Sequence, residues 1–331
     1  MRVGFTFDRK EDHLAGGMAP EQAAEFDGAG TIDAIGRAVA SLGHEVDPVG
    51  NVKSLVRRLA AGDRWELVFN IAEGVTGFGR EAQIPALLEA YGIPYTFSDP
   101  LALCVTLHKA TAKRVAASLG VPTPPFGVVE SEEDIRNIRL PFPLFAKPLA
   151  EGSSKGISAA SVIRSGAELE AVCRDLLRRF EQPVLVEAYL PGREFTVGVL
   201  GTGPGAETLG VLEITLAGNA ERGAYSFDNK QRFADRVGYA LCDDPALAGA
   251  CSSVALDAWR ALGCRDAGRV DIRLDESGGP QFLEINPLAG LDPVSGDLPI
   301  LCRSAGVPYE TLIKRIIESA SRRCEANRPC A

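Results

Sequence analysis

Three prolines fall within six residues at Gly120-Val-Pro-Thr-Pro-Pro125. No helix survives such a run, because proline lacks the N–H, fixes φ and pushes its preceding residue out of the helical region. The chain of 331 residues therefore reads differently on either side. Before the prolines, apolar runs alternate with helical stripes. Val3–Phe7 and Trp65–Asn70 read as strands. Ile32, Ile35, Val39 and Leu42 mark one helical face stopped by Gly43, and Ile84, Leu87, Leu88 and Tyr91 mark another stopped by Gly92. A short strand, Tyr95–Phe97, follows. Strands alternating with helices predict an open parallel sheet. Asp99-Pro100 then opens a helix, as N-cap and first helical residue, that runs to about Leu119.

After the prolines, strands follow one another: Leu144–Pro148, Ile157–Ile163, Val184–Tyr189, Glu194–Leu200, Leu209–Thr215, and Arg269–Asp275 with Gln281–Asn286 around Glu-Ser-Gly-Gly-Pro. Helices are expected over Leu169–Phe180, over 245–262, and at the C-terminus around Leu312, Ile313, Ile316 and Ile317, with a frayed tail after Arg322. Residues 217–236 are polar, irregular and too long for a simple connector. The fold class is α/β (α+β), in three parts: an open α/β domain over 1–100, a small central domain over 101–183, and a larger C-terminal domain with an antiparallel sheet over 184–331.

Composition narrows the function. At 46% apolar and 24% charged the chain has ample core and is neither disordered nor repetitive. A net charge of −9 is the wrong sign for tracking a phosphate backbone, so nucleic acid is not an expected partner. No apolar run reaches 18 residues, and the start, MRVGFTFDRKEDHL, meets acids too early for a signal peptide. A cytoplasmic location with no membrane partner is expected. The eight cysteines contain no C-x-x-C pair and read as small buried residues.

Chemistry concentrates in three segments. Strand alternation puts Arg269, Asp271 and Arg273 on one face of the hairpin, and Glu284 and Asn286 on one face of its partner, with Leu283 and Ile285 on the reverse side. Asp271, Glu284 and Asn286 can then meet. Three oxygen ligands without His or Cys suit a hard cation such as Mg²⁺; a solvated polar face fits the hairpin alone equally well. Lys147 sits in the apolar run Leu-Phe-Ala-Lys-Pro and needs an anionic partner. It precedes Glu151-Gly-Ser-Ser-Lys-Gly-Ile157, a loop whose N–H groups and hydroxyls can cradle phosphates. It is not a G-x-x-x-x-G-K-[ST] loop, since the lysine lies upstream and a strand follows; an ordinary hairpin loop is the alternative. Val184–Glu194 offers an apolar strand ending in Glu187 and Glu194, either a nucleotide edge or simply a strand with two acids.

In order, these segments resemble the ATP-grasp ligases, and within them the D-alanine–D-alanine ligases. The resemblance is carried by Tyr91-Gly-Ile-Pro-Tyr-Thr96, Lys109, Ala146-Lys-Pro-Leu-Ala-Glu-Gly-Ser-Ser-Lys-Gly-Ile-Ser158, Val184–Gly198, Gly268-Arg-Val-Asp271 and Phe282-Leu-Glu-Ile-Asn-Pro287. It spans about 65–318. It implies a three-lobed ATP-grasp fold and an ATP- and Mg²⁺-dependent ligase that activates a carboxylate as an acyl phosphate and joins it to an amine. By the same resemblance, Lys109 and Lys147 bind ATP phosphates beneath the loop of Ser153 and Ser154, Glu187 and Leu190 frame the adenine, and Glu194 binds ribose. Asp271, Glu284 and Asn286 hold two Mg²⁺ ions, with Mn²⁺ as a substitute. Arg269, Ser153 and Lys230 are catalytic, Lys230 belonging to a lid over 217–236. Partners are small amino-acid-like molecules, with a homodimer as candidate assembly.

The amino-acid half departs from that family. The glycine-rich turn after the first strand is replaced by Phe5-Thr-Phe-Asp-Arg-Lys10, leaving Glu25 as a distant candidate for the amine-binding acid. H-G-x-x-G-E-D-G is replaced by Glu73-Gly-Val-Thr-Gly-Phe-Gly-Arg-Glu-Ala82, and T-S-P-G-M-T by Pro287-Leu-Ala-Gly-Leu-Asp292, which contains Gly290. Glu73, Arg80 and Glu81 are therefore expected to read a substrate that need not be D-alanine: Glu73 favouring an ammonium, Arg80 an additional carboxylate. Alternatively these charges only pair with one another at the surface. A nucleotide-binding protein that has lost catalysis is the reading from another class.

Overall fold

The computed structural model describes residues 1–218 and 226–326, without the side chains of 230, 231, 233, 234 and 326. The N-terminal sheet is parallel, with β1 (Arg2–Thr6) between β2 (Glu45–Gly50) and β3 (Leu67–Asn70). Sequence patterning missed β2, whose Asp47 and Pro48 break the apolar run. Its place at the sheet edge tolerates that proline. The expected strand at Tyr95–Phe97 is only a single bridge between Val68 and Tyr95. Phe97 turns into the left-handed region (φ 72°) and gives its N–H to Asp266 at 2.8 Å, which ends any ladder there.

The helix expected from Asp99 to Leu119 is two helices, Pro100–Leu107 and Lys109–Ser118. Asp99 caps the first through Ala102 N. His108 leaves helical geometry and caps the second, its Nδ1 accepting from Thr111 N at 3.2 Å. This break aims Lys109 and, one turn on, Lys113 inward; both are buried.

The central sheet contains β4 (Phe126–Val129), β5 (Leu144–Pro148), β6 (Val162–Ile163) and β7 (Val184–Ala188) in the order β4-β7-β5-β6. The strand expected over Ile157–Ile163 keeps only its last two residues, because Ser158 caps a turn of 3₁₀ helix at Ala159–Ser161. Helix Gly166–Phe180 covers this sheet with Leu169, Cys173 and Leu176. Since β7 bonds to β4 and β5, a boundary at 183 would cut the sheet; we propose that the central lobe ends after Ala188.

The C-terminal sheet is antiparallel. It contains β8 (Glu194–Leu200), β9 (Glu207–Leu216), β10 (Val237–Leu241), β11 (Ala267–Leu274) and β12 (Pro280–Asn286), ordered β10-β9-β8-β11-β12. Trp259, on helix Pro245–Ala261, packs onto Gly268, where a Cβ would meet the indole at 2.7 Å. The C-terminal helix, Tyr309–Ala326, shares one core with the N-terminal sheet: Leu312, Ile313, Ile316 and Ile317 join Val3, Phe5, Ile35 and Val39. Arg323, on its last described turn, pairs with the fully buried Asp266 at 2.8 Å. The helix continues past Arg322 to Ala326, and the rest of the tail expected to fray, residues 327–331, lies outside the described residues. Among the described residues no helix is long and apolar enough to cross a membrane.

Candidate active site

The β11–β12 ladder sets the site. Arg269 pairs with Asn286 and Asp271 with Glu284, with the Val270–Ile285 rung between, so the three expected oxygen ligands share one face on alternate rungs. The next rung pairs Ile272 with Phe282, leaving Leu283 as a bulged extra residue. The bulge reverses the expected orientation of Leu283, which lines a cleft beside Glu284; Ile285 is buried.

That cleft is open to solvent, and the space within it, its open mouth included, is about 750 Å³. Phe145, Ile157, Leu190, Ile214 and Leu283 give it apolar walls, and Lys147, Glu187, Glu194, Arg269, Asp271 and Glu284 sharpen its polar end. Lys147 has the anionic partners its burial demands: Glu187 at 3.1 Å and Glu284 at 3.7 Å. Burial opposes its charge, but these acids hold its pKa above the ordinary lysine value. Glu187 also pairs with Lys113 at 2.8 Å, and Lys113, fully buried, further reaches Thr123 Oγ1 and Phe282 O. Lys109 lies 3.5 Å from Glu284 and donates to Glu151 O. Glu194 pairs with Arg273 at 3.2 Å, and Arg273 stacks on Tyr189. Asp271 accepts from Thr196 and from Arg269. Burial and Glu284 raise its pKa despite Arg269.

A second, larger and more polar cleft opens on the other side of Arg269 and Glu284, which line both. Its walls carry Glu25, Asp27, Glu73, Glu81, Lys109, Ser153, Asn286, Gly290, Asp292 and Asp297. The glycine- and serine-rich loop straddles the divide, with Ser153 toward the polar cleft and Ser154 toward the first; both take positive φ, 50° and 56°. Glu25 latches this loop to the N-terminal lobe, accepting from Gly152 N and pairing with Lys155 at 3.2 Å. The latch also holds Arg80, 3.3 Å from Glu25 and 3.0 Å from Ala150 O. Arg80 is thereby committed inward and is not presented to a substrate carboxylate. Nor do Glu73 and Glu81 form the surface pairs with it that were the alternative. The backbone of Lys230 lies in the short helix Phe227–Gln231, whose first N–H bonds Ile157 O at 3.1 Å. The Lys230 side chain and residues 219–225 of the expected lid lie outside the described residues.

The D-ala D-ala ligase C-terminal family matches residues 115–318, which hold every strand of the central and C-terminal sheets. The chain belongs to the D-alanine–D-alanine ligase family. It is 34% identical over 318 residues to a D-alanine–D-alanine ligase of Bordetella avium, covering 95% of each chain. It is 33% identical over 315 residues to one of Xanthomonas axonopodis, covering 92% of each. Its fold is that of the Bacillus anthracis D-alanine–D-alanine ligase complexed with ATP, with a TM-score of 0.76 at 20% identity, covering 99% of this chain and 100% of that one. Sequence reasoning overlooked Lys113, Tyr189 and Asp297, gave Arg273 a place on the polar face but no role, and set Leu283 on the wrong side. Lys113 had a usable signal, a second lysine four residues after Lys109. Asp297, buried 3.6 Å from Arg269, had none.

Glu81 yields a stability prediction. It is only 8% exposed, and burial, reinforced by Glu25, pushes its carboxyl up to about 7 from an ordinary 4.5. The folded state therefore binds this proton more tightly than the unfolded chain does. The resulting stability is complete below about 4.5 and lost as pH rises through 7. Glu81→Gln should leave the thermal unfolding midpoint unchanged at pH 5 and raise it at pH 8. A lower midpoint at pH 8 would show the carboxylate to be compensated.

Proposed function

We propose that this chain is an ATP-dependent carboxylate–amine ligase of the D-alanine–D-alanine ligase type, with the apolar cleft taking ATP and the polar cleft the amino-acid-like substrates. One observation carries this reading: Arg269 and Glu284 line both clefts, so a γ-phosphoryl group held in one lies against a nucleophile held in the other. In this reading the strand edge Glu187–Leu190 frames the base, Glu194 accepts from the ribose, and Lys109 and Lys147 hold phosphate oxygens under Ser153 and Ser154.

Asp271, Glu284 and Asn286 fit Mg²⁺, being two carboxylates and one amide oxygen on alternate rungs of one face with no soft ligand. When bound there, the metal would neutralise phosphate charge. The protein's own part is positional and electrostatic. Glu284 holds Lys109 and Lys147 in place before ATP arrives. A substrate carboxylate oxygen attacks the γ-phosphorus, its O–P bond forms, and ADP leaves. The neutral amine of a second substrate, having lost a proton to solvent, attacks the acyl carbon; the C–N bond forms and phosphate leaves. Arg269 stabilises the anionic charge in both steps. The expected stoichiometry is one ADP and one phosphate per amide, measured by coupled assay and by product mass with D-alanine and other amino acids. ATP turnover that is independent of every carboxylate and amine supplied would refute the reading and favour a nucleotide-binding protein without ligase activity.

A further inference from the structure

The polar cleft holds more acid than two small neutral amino acids can use. Several of its carboxylates are already satisfied. Glu25 has Arg80, Lys155 and Gly152 N. Glu151 has Lys155 and Gln182. Asp292 accepts from Thr31, Val294 and Ser295. Glu284 belongs to the phosphate and metal end. Asp297 lies 3.6 Å from Arg269, and Asp27, whose carboxyl is pushed up by burial and by Asp292, lines the cleft beyond Glu25. Two further acids stand on the wall formed by residues 73–81. Among the described residues, neither Glu73 nor Glu81 makes a hydrogen bond or ion pair through its carboxylate, although both line the cleft. Glu81 is more than nine-tenths buried. Arg80, between them in sequence, is bonded to Glu25 and Ala150 O and makes no direct ion pair with either, although its charge acts on both from a distance.

Burying carboxylates without partners is costly, so such a pair either stays protonated or awaits a cation. Burial and the neighbouring acids hold both carboxyls above their ordinary range, against the opposing pull of Arg80 on both and of Lys109 on Glu81. We infer that one substrate of this ligase carries a cationic nitrogen besides its reacting groups, a diamino acid or a similar amine-bearing carboxylate, and that Glu73 and Glu81 receive that distal ammonium. The inference rests on the ligase reading and adds the substrate class. It also explains why this wall lacks a free arginine: the group it reads is a cation.

The test compares isosteric pairs that differ only in the distal charge. ADP release and amide formation are measured with ATP, Mg²⁺ and D-alanine as co-substrate, using ornithine against norleucine and lysine against 2-aminoheptanoate, each in both enantiomers. The cationic member of at least one pair should exceed its neutral isostere in kcat/KM by about tenfold or more, the scale of one charge-assisted hydrogen bond. In Glu81→Gln that ratio should fall toward unity. Glu73→Gln serves as the second variant should the first fail to fold. A merely structural role would lower both members of a pair equally and leave the ratio intact. A wild type that joins D-alanine to D-alanine and prefers the neutral isosteres overturns the inference and leaves the ligase reading standing. A ratio unchanged in both variants removes Glu73 and Glu81 as its cause. Absence of amide product with every combination overturns both.

Discussion

Glu284→Gln should lower ligase turnover by about a hundredfold or more, the usual effect of deleting one charged group that acts at developing charge, while the protein stays folded. The glutamine keeps the shape of the side chain and leaves the backbone ladder with Asp271 in place. It removes the charge that now holds Lys109 at 3.5 Å and Lys147 at 3.7 Å, and that would serve the metal. These two roles separate experimentally. Freed of their shared counter-ion, the lysines should bind metal-free ATP at least as tightly as in the wild type. The Mg²⁺ concentration needed for half-maximal turnover should rise. Calorimetry without metal and a Mg²⁺ titration of steady-state rates measure the two. Near-normal turnover at moderate Mg²⁺ would show that Glu284 is not a metal ligand.

The residues of this hairpin were legible because they depend on local order alone. Strand alternation and a short turn bring Asp271, Glu284 and Asn286 together whatever surrounds them. The loop 151–157 was legible for the same reason, since its glycines and serines announce their chemistry. Leu283 was misplaced because alternation assumes a regular ladder, and no side-chain pattern marks the bulge that turns it into the apolar cleft. Strand β2 was invisible because an edge strand admits Pro48 and Asp47, which a central strand would exclude.

The amino-acid side of the site depends on long-range pairing, which a single sequence does not display. Charge at Glu25 and Arg80 suggested two substrate contacts. Across 55 residues they instead find each other, and with Lys155 they fasten the loop. Glu73 and Glu81, on the same wall, line the polar cleft without a direct partner among the described residues. The same holds for Asp297, whose meaning comes solely from its approach to Arg269.

Glu187→Leu should be among the most destabilising single substitutions in the chain. Its carboxylate is fully enclosed between Lys113 at 2.8 Å and Lys147 at 3.1 Å, and Lys113 has no exposure to water. Removing one partner of a buried pair strands the other charge, at a cost of about 3–5 kcal/mol. Lys147 keeps Glu284, whereas Lys113 keeps only Thr123 Oγ1 and Phe282 O, two neutral acceptors. The penalty therefore belongs mostly to Lys113, and it should vanish when that charge goes too. Lys113→Met combined with Glu187→Leu should recover most of the lost unfolding midpoint, since well-packed apolar residues commonly replace a buried ion pair without loss. Activity should not recover with it. Lys147 would hang from Glu284 alone and swing with that residue when phosphate or metal enters, so KM for ATP should stay high in a double variant of near-normal stability. Recovery of both stability and KM would mean that Glu187 only balances charge in the core. Failure to recover stability would mean that Lys147, and not Lys113, is the charge that Glu187 keeps inside.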